Sequence, residues 1–318
     1  MKKKHIGTIL LTLMSIAIIG AFVYYLYENA DQYRKLLQFS TTSILLLVAI
    51  SIVLPIFNGM INTYLCRSLG ANISQREGFL LASASTLANQ LPVSGGIVTK
   101  AVYLKQKYDL PYTKNISAML ALFFCSVAVY GLLGLTILLY WRMFSHISVA
   151  PVLFIAFGLM ACSLIIFWLP VERIRIPKAL LKWVQQALEG WLLISKDPKL
   201  LLQLLGLQTT TMLLLAARYW LAFHMLSQNV TISQAVLFAS ASILTILVSF
   251  APGGLGVREA IVGTLATTLG FKTGVSVVAI ELDRLVATVV VVLIGWVSVV
   301  ILGKQVSETM KEPEDQKI

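Results

Sequence analysis

An all-α polytopic membrane protein, with about six full spans and two re-entrant helical hairpins in an inverted repeat, is the fold class that this sequence predicts. Three observations carry it. Of 318 residues 58% are hydrophobic and 12% charged, about half the charged share of a soluble globular chain, and mean hydropathy is +0.85. The apolar residues come in runs long enough to cross a hydrocarbon core of about 30 Å. Finally, 18 of the 25 lysines and arginines fall in segments that alternating spans put on one side, the signature of cytoplasmic loops.

Those same observations exclude other classes. The net charge of +11 is a topology signal, so no nucleic-acid partner is expected. Cys66, Cys125 and Cys162 lie in or beside apolar runs without CxxC spacing and read as small packing residues. His5, His146 and His224 are not paired at ligand spacing. Hence neither metal nor cofactor is expected.

Taken in order, residues 6–27 follow a basic start and form a first span too long for a signal-peptide core. Residues 28–40 are a polar outer segment. Span two, 41–66, returns inward and carries the polar interruptions Pro55, Asn58 and Asn62. Residues 79–108 are too polar and too interrupted to span, with Pro92, Gly95 and Gly96 at a break and Lys100, Lys105 and Lys107 beyond it; they read as a hairpin entering from inside. Span three is 115–140 and span four 149–169. Residues 171–199 repeat apolar positions at helical spacing among six lysines and arginines, as in a basic amphipathic helix on an anionic leaflet. Span five, 200–226, contains Arg218. Residues 230–250 approach a second break and 256–270 leave it. Span six, 274–302, contains Glu281, Asp283 and Arg284, and a polar tail from Lys304 is expected to be disordered and cytoplasmic.

The second break is the most informative stretch. Pro252, Gly253, Gly254 and Gly256 remove a backbone donor and open positive φ, and Arg258 and Glu259 follow at once. Unwound backbone at membrane depth must be buried in protein or line a cavity. Helices beginning after Gly96 and Gly256 would aim unpaired N–H groups at the two apices, a cradle for phosphate, with Arg258, Lys100, Arg218 and Arg284 adding positive charge. Glu259 and Asp283 leave a carboxylate as a proton or cation site. Glu281 and Arg284 share a helical face as an internal ion pair. Ser242, Thr245 and Ser249 form a polar stripe toward the break.

An offset of 160 positions superposes Pro92 on Pro252, Gly96 on Gly256, Asn58 on Arg218, span two on span five and span three on span six. The two units would have opposite orientation, the layout of secondary transporters.

The run from Pro252 to Ala260, with Arg284 in the last span and the run from Leu91 to Gly96 with Lys100 and Tyr103, resembles the lysylphosphatidylglycerol synthase transmembrane family of flippase-like proteins. The resemblance covers nearly the whole chain and implies movement of a lipid across a bacterial inner membrane. Members of the family that make aminoacylated lipid carry a soluble transferase domain after their spans; here the sequence runs to Ile318 without one, so lipid modification is not implied. The family's acidic residue and arginine after the first hairpin are replaced by Leu122, Phe123, Phe124 and Cys125, and its charged pair after the first glycines by Ile97, Val98 and Thr99.

The expectation is a single flippase-like membrane domain: 1–40 as anchor span and outer segment, 41–140 and 200–302 as repeats, 141–199 as linking span and basic helix, 303–318 as tail. It is a non-enzymatic translocase of a lipid with a phosphate-bearing headgroup, with both termini cytoplasmic, compatible with homo-oligomers. The substrate-binding candidates are Pro92, Gly95, Gly96, Lys100, Arg218, Pro252, Gly253, Gly254, Gly256, Arg258, Glu259, Asp283 and Arg284. The alternatives are a membrane partner or regulator of a cell-envelope synthase and, behind it, a membrane enzyme acting on lipid-linked phosphate.

Overall fold

A computed structural model describes residues 40–90, 95–145, 150–168, 189–245 and 257–309. The expected first span, the outer segment, most of the basic helix and both breaks with Pro92, Pro252, Gly253, Gly254 and Gly256 lie outside the described residues. Within them, regular structure is entirely helical: α1 Thr41–Ser68, α2 Gln75–Ala88, α3 Gly95–Tyr108, α4 Tyr112–Tyr140 with a π turn Trp141–Ser145, α5 Pro151–Cys162 with a 3-10 end Ser163–Trp168, α6 Pro198–Met225, α7 Ile232–Ser242, α8 Val257–Thr268 and α9 Thr273–Thr309. Residues 189–195 are also helical.

Four helices are long and apolar enough to cross a membrane: Thr41–Ser68, Tyr112–Phe144, Pro198–Met225 and Thr273–Gln305. They coincide with expected spans two, three, five and six, so the chain is multi-pass. Expected span four is the shorter apolar helix Pro151–Phe167. Large apolar side chains point outward on the long helices, as at Leu45, Leu202 and Leu293, a costly surface in water and a suitable one in lipid. One expectation is corrected at the end of the chain. Residues 304–309 are helical rather than irregular tail, because Gln305 is engaged by Tyr103 and Lys107 of α3.

The helices fall into two runs of the same form. Thr41 to Tyr140 is long, short, short, long at 28, 14, 14 and 29 residues. Pro198 to Thr309 repeats the order at 28, 11, 12 and 37. The linkers match bond for bond. After α1, Gly70 N donates to Arg67 O, Ala71 N to Cys66 O and Ile73 N to Ala71 O; after α6, Ser227 N donates to His224 O, Gln228 N to Phe223 O and Val230 N to Gln228 O. Ser74 then caps α2 by accepting from Glu77 N, and Thr231 caps α7 by accepting from Gln234 N. Every positive-φ residue described takes an equivalent place, Gly70 with Ser227 and Asp109 with Gly270. The register through the first linker is therefore 157 rather than 160, and after the breaks it is 161. That correction sets Ile61, not Asn58, opposite Arg218.

Packing between the runs is reciprocal. The first short helix of each packs on the last long helix of the other, α2 on α9 and α7 on α4, while α1 and α6 pack together. Leu47 of α1 clusters with Leu221 of α6 and Val286 of α9, and Leu65 with Leu204 and Leu302, so α1 runs antiparallel to α6. The two linkers consequently sit at opposite ends of α9. Glu77, next to the first, and Tyr103 meet the Gln305 end, while Phe223, Phe238 and Phe271 stack near the Thr273 end.

From those ends the short helices point toward the middle of α9. On one side Leu87 and Ser83 approach Gly295 so closely that a Cβ there would lie 2.6 Å from Leu87 Cβ. On the other, Thr267 meets Thr273, and Glu259 meets Arg284.

Candidate functional site

Polar side chains at membrane depth converge where α6, α8 and α9 meet. Arg218 is about two turns from the end of α6, and Asp283 and Arg284 lie ten and eleven residues into α9, about 15 Å from its start. Arg258 and Glu259 open α8. Sequence neighbours on these helices are held by apolar packing, with Ala279, Ile280, Val262 and Ala266 fully buried around them.

Two ion pairs tie the helices together. Arg218 Nε donates to Asp283 Oδ1 at 2.7 Å, and Arg218 Nη2 to the Asp283 carbonyl at 3.1 Å. Arg284 Nη1 donates to Glu259 Oε1 at 2.8 Å. All four side chains are buried. Asp283, at 0% exposure, has lost its solvation, and the guanidinium beside it offsets part of that cost. Glu281, expected to pair with Arg284, is half-buried with Glu259, Arg284 and Arg258 as its electrostatic neighbours.

The cluster also holds polar atoms that the described residues do not satisfy. Arg258 Nε, Tyr219 Oη, Glu259 Oε2 and Asp283 Oδ2 are buried without a hydrogen-bond partner among the described residues. Arg258 makes no ion pair there either; its electrostatic neighbours are Tyr219, Asp283, Glu259 and Tyr130. Each unmet buried polar atom costs about 1 to 3 kcal/mol, and an unpaired guanidinium more. Four such atoms, a guanidinium nitrogen, a phenol oxygen and two carboxylate oxygens, belong to this cluster.

Of the sequence candidates, the structure brings together Arg218, Arg258, Glu259, Asp283 and Arg284. It does not bring Lys100, Gly95 or Gly96 to them. Gly96 N donates to Asn89 Oδ1 at 2.9 Å, which closes the apical end of the α2–α3 pair. Lys100 lies one turn before Tyr103, which reaches Gln305, 21 residues past Arg284, so Lys100 is on the order of 25 Å from the cluster along α9. It is nonetheless 2% exposed and has no hydrogen bond or ion pair to a described residue. Among the described residues no three His, Cys, Asp or Glu side chains gather as metal ligands.

Sequence reasoning missed Tyr219, whose only signal is its place beside Arg218 in an apolar span, and a second polar centre. Glu77 Oε1 accepts from Tyr103 at 2.7 Å, from Tyr108 at 2.8 Å and from Lys107 at 3.0 Å. Burial works to raise the Glu77 carboxyl, and those three hydrogen bonds outweigh it, holding its pKa below the ordinary value. Burial and the Glu77 carboxylate raise both tyrosine hydroxyls. This centre fastens α2 and α3 to the end of α9.

The family model described as lysylphosphatidylglycerol synthase TM region matches residues 12–295, a stretch that contains every charged residue of the buried cluster. No curated protein and no solved structure matches the chain.

Proposed function

Because the chain belongs to the lysylphosphatidylglycerol synthase TM region family, we propose that it moves a membrane lipid with a phosphate-bearing headgroup across the bilayer, as a translocase rather than an enzyme. Arg258 carries the reading. Burying a charge at membrane depth costs at least about 2.5 kcal/mol, which Arg218 and Arg284 offset with carboxylates. Arg258 has no such partner among the described residues, and a phosphate offers a guanidinium two oxygens at once. Tyr219 Oη beside it can donate a further hydrogen bond.

In this reading α2–α3 and α7–α8 are re-entrant hairpins in an inverted repeat. What supports it is the placement of their linkers at opposite ends of α9 and their lengths, ~16 to 21 Å per helix, against a core of about 30 Å. Pro252, Gly253, Gly254 and Gly256 then precede Arg258 at one apex, with Pro92, Gly95 and Gly96 at the other and Lys100 along the first hairpin's flank. In this reading the membrane is a bacterial inner membrane, and the distribution of basic residues supports cytoplasmic termini.

The test is reconstitution in vesicles carrying fluorescent phosphatidylglycerol or, in parallel, a fluorescent diacylglycerol, with an impermeant quencher added outside. Protein-dependent exposure of inner-leaflet phosphatidylglycerol, and none of diacylglycerol beyond its own rate, is expected. If no phosphate-bearing lipid crosses faster with protein than without it, translocation is wrong and the partner reading takes its place.

A further inference from the structure

A second buried cation, Lys100 on α3, shares the condition of Arg258. Its side chain is 2% exposed and makes no hydrogen bond or ion pair with a described residue. Gly96, Lys100 and Tyr103 are buried on one face of α3 at helical spacing. That face packs on α2: a Cβ on Gly96 would lie 2.3 Å from the Ser85 carbonyl oxygen, and Tyr103 donates to Glu77. Lys100 stands between these two contacts, inside the hairpin. Ser85 Oγ on α2 is likewise buried without a hydrogen-bond partner among the described residues.

The carboxylates of this region are engaged elsewhere. Glu77 Oε1 accepts from Tyr103, Tyr108 and Lys107 and its Oε2 from Tyr108, while Asp109 accepts from Lys105 at the surface. An ammonium group has three hydrogens to donate and nothing to accept with, so an anionic oxygen is the partner that offsets its burial.

Depth identifies the source of that oxygen. The apolar stretch of α9, Thr273–Gln305, has its middle near Val289. Arg284, and with it the Arg258 cluster, lies ~8 Å to one side of that level. Lys100, one turn short of the Gln305 end, lies roughly 18 Å to the other side. A hydrocarbon core about 30 Å thick ends about 15 Å from its middle, with headgroups beyond, so Lys100 is at the level of the headgroup phosphates of one leaflet. Arg67, Arg76, Lys105, Lys107, Lys114 and Lys199 gather at this end, whereas the described residues of the opposite end contribute Arg142 and Lys272. That excess marks the cytoplasmic side.

We propose that Lys100 is a second, separate binding station for the lipid phosphate, on the inner-leaflet side, distinct from the Arg258 cluster. This rests on the translocation reading and adds to it a station in the first run. The two cations are on the order of 25 Å apart along α9, too far for one phosphate to touch both, so the headgroup is held by one or the other. A lipid headgroup and free phosphate offer Lys100 the same oxygens; the depth of the side chain assigns the lipid, whose acyl chains keep its phosphate at that level.

Two measurements on the full chain test it. In maltoside micelles, dihexanoyl phosphatidylglycerol should raise the melting midpoint of the wild type, and Lys100→Met and Arg258→Gln should each keep about half of that rise, since two distant sites contribute separately. The double variant should keep none, and dihexanoylglycerol or inorganic phosphate should raise nothing. Without any probe, Lys100→Met should melt no lower than the wild type, because it removes an unbalanced charge. The second measurement needs no variant. Phosphatidylglycerol cleaved by periodate carries an aldehyde beside its phosphate; in vesicles containing it, cyanoborohydride should trap the lipid on Lys100, read by peptide mass, and excess intact phosphatidylglycerol should suppress that adduct. A full rise kept in Lys100→Met, or a wild type without the Lys100 adduct, overturns this station and leaves Arg258 and translocation standing. A rise that needs Lys100 and not Arg258 supports the station and overturns Arg258 as the headgroup ligand. A Lys100-dependent rise with inorganic phosphate overturns the lipid as its ligand, and no rise with any probe overturns both sites.

Discussion

One guanidinium, that of Arg218, holds both the side chain and the backbone of Asp283, through Nε to Oδ1 at 2.7 Å and Nη2 to the carbonyl at 3.1 Å. The peptide carbonyl of a helix already accepts an intrahelical bond, so this second contact fixes α9 against α6 in rotation as well as in distance. Removing one partner leaves a buried charge uncompensated. Arg218→Gln and Asp283→Asn should each destabilise by roughly 3 to 5 kcal/mol, read as a lower melting midpoint in detergent, and the double variant should lose less than the two single losses added together.

Arg258 should behave in the opposite way. It has no described partner to lose, so Arg258→Gln removes an uncompensated charge and its melting midpoint should match or exceed the wild type. Lipid transport by the same variant should fall at least about tenfold. A stability loss as large as that of Arg218→Gln would mean that Arg258 is a structural cation.

Labelling decides the orientation of the two runs. Asn72 and Asn229 occupy equivalent, exposed positions in the two matching linkers. With Cys66, Cys125 and Cys162 replaced by alanine, a cysteine at Asn72 should react with an impermeant maleimide only from the cytoplasmic side, and one at Asn229 only from outside. Reaction of both from one side would end the inverted-repeat reading.

The Glu77 centre confers a pH dependence. Its carboxyl lies below the ordinary value of 4.5 in the folded chain, so its stabilisation is fully present above pH 4.5 and is lost as the pH falls through the folded value. At pH 7, Glu77→Gln should melt lower by the equivalent of roughly 2 kcal/mol, the worth of hydrogen bonds to a charged group. Melting curves of the two proteins should converge as the pH is lowered below 4.5.

Ser227 has a φ of 57° where its counterpart Gly70 has 95°. An L-residue there pays about 1 kcal/mol that glycine avoids. Ser227→Gly should therefore raise the melting midpoint, while Gly70→Ser should lower it by a similar amount.

The sequence by itself determined the membrane class, the positions of the long helices and the location of the charged residues, because these depend on run length, composition and the sign of charge. Span boundaries at Thr41, Pro198 and Thr273 were legible within a few residues for the same reason. Two runs of like helices were legible too, although alignment on Pro92 and Pro252 gave an offset of 160, whereas the matching turns LGANIS and LSQNVT, with their capping serine and threonine, align at 157. A weak repeat is anchored better by hydrogen-bonded turns, whose geometry restricts residue choice, than by breaks that differ in length. Tertiary structure alone decided the partners. Glu281 and Arg284 share a helical face, yet Arg284 takes Glu259 from another helix because α8 packs there. Likewise Lys100 carries the charge expected of a headgroup ligand but lies near the Gln305 end, since α3 is tied there by Tyr103 and Lys107. Which charges meet depends on helix rotation and on reciprocal packing between the two runs, and neither is written in the spacing of one helix.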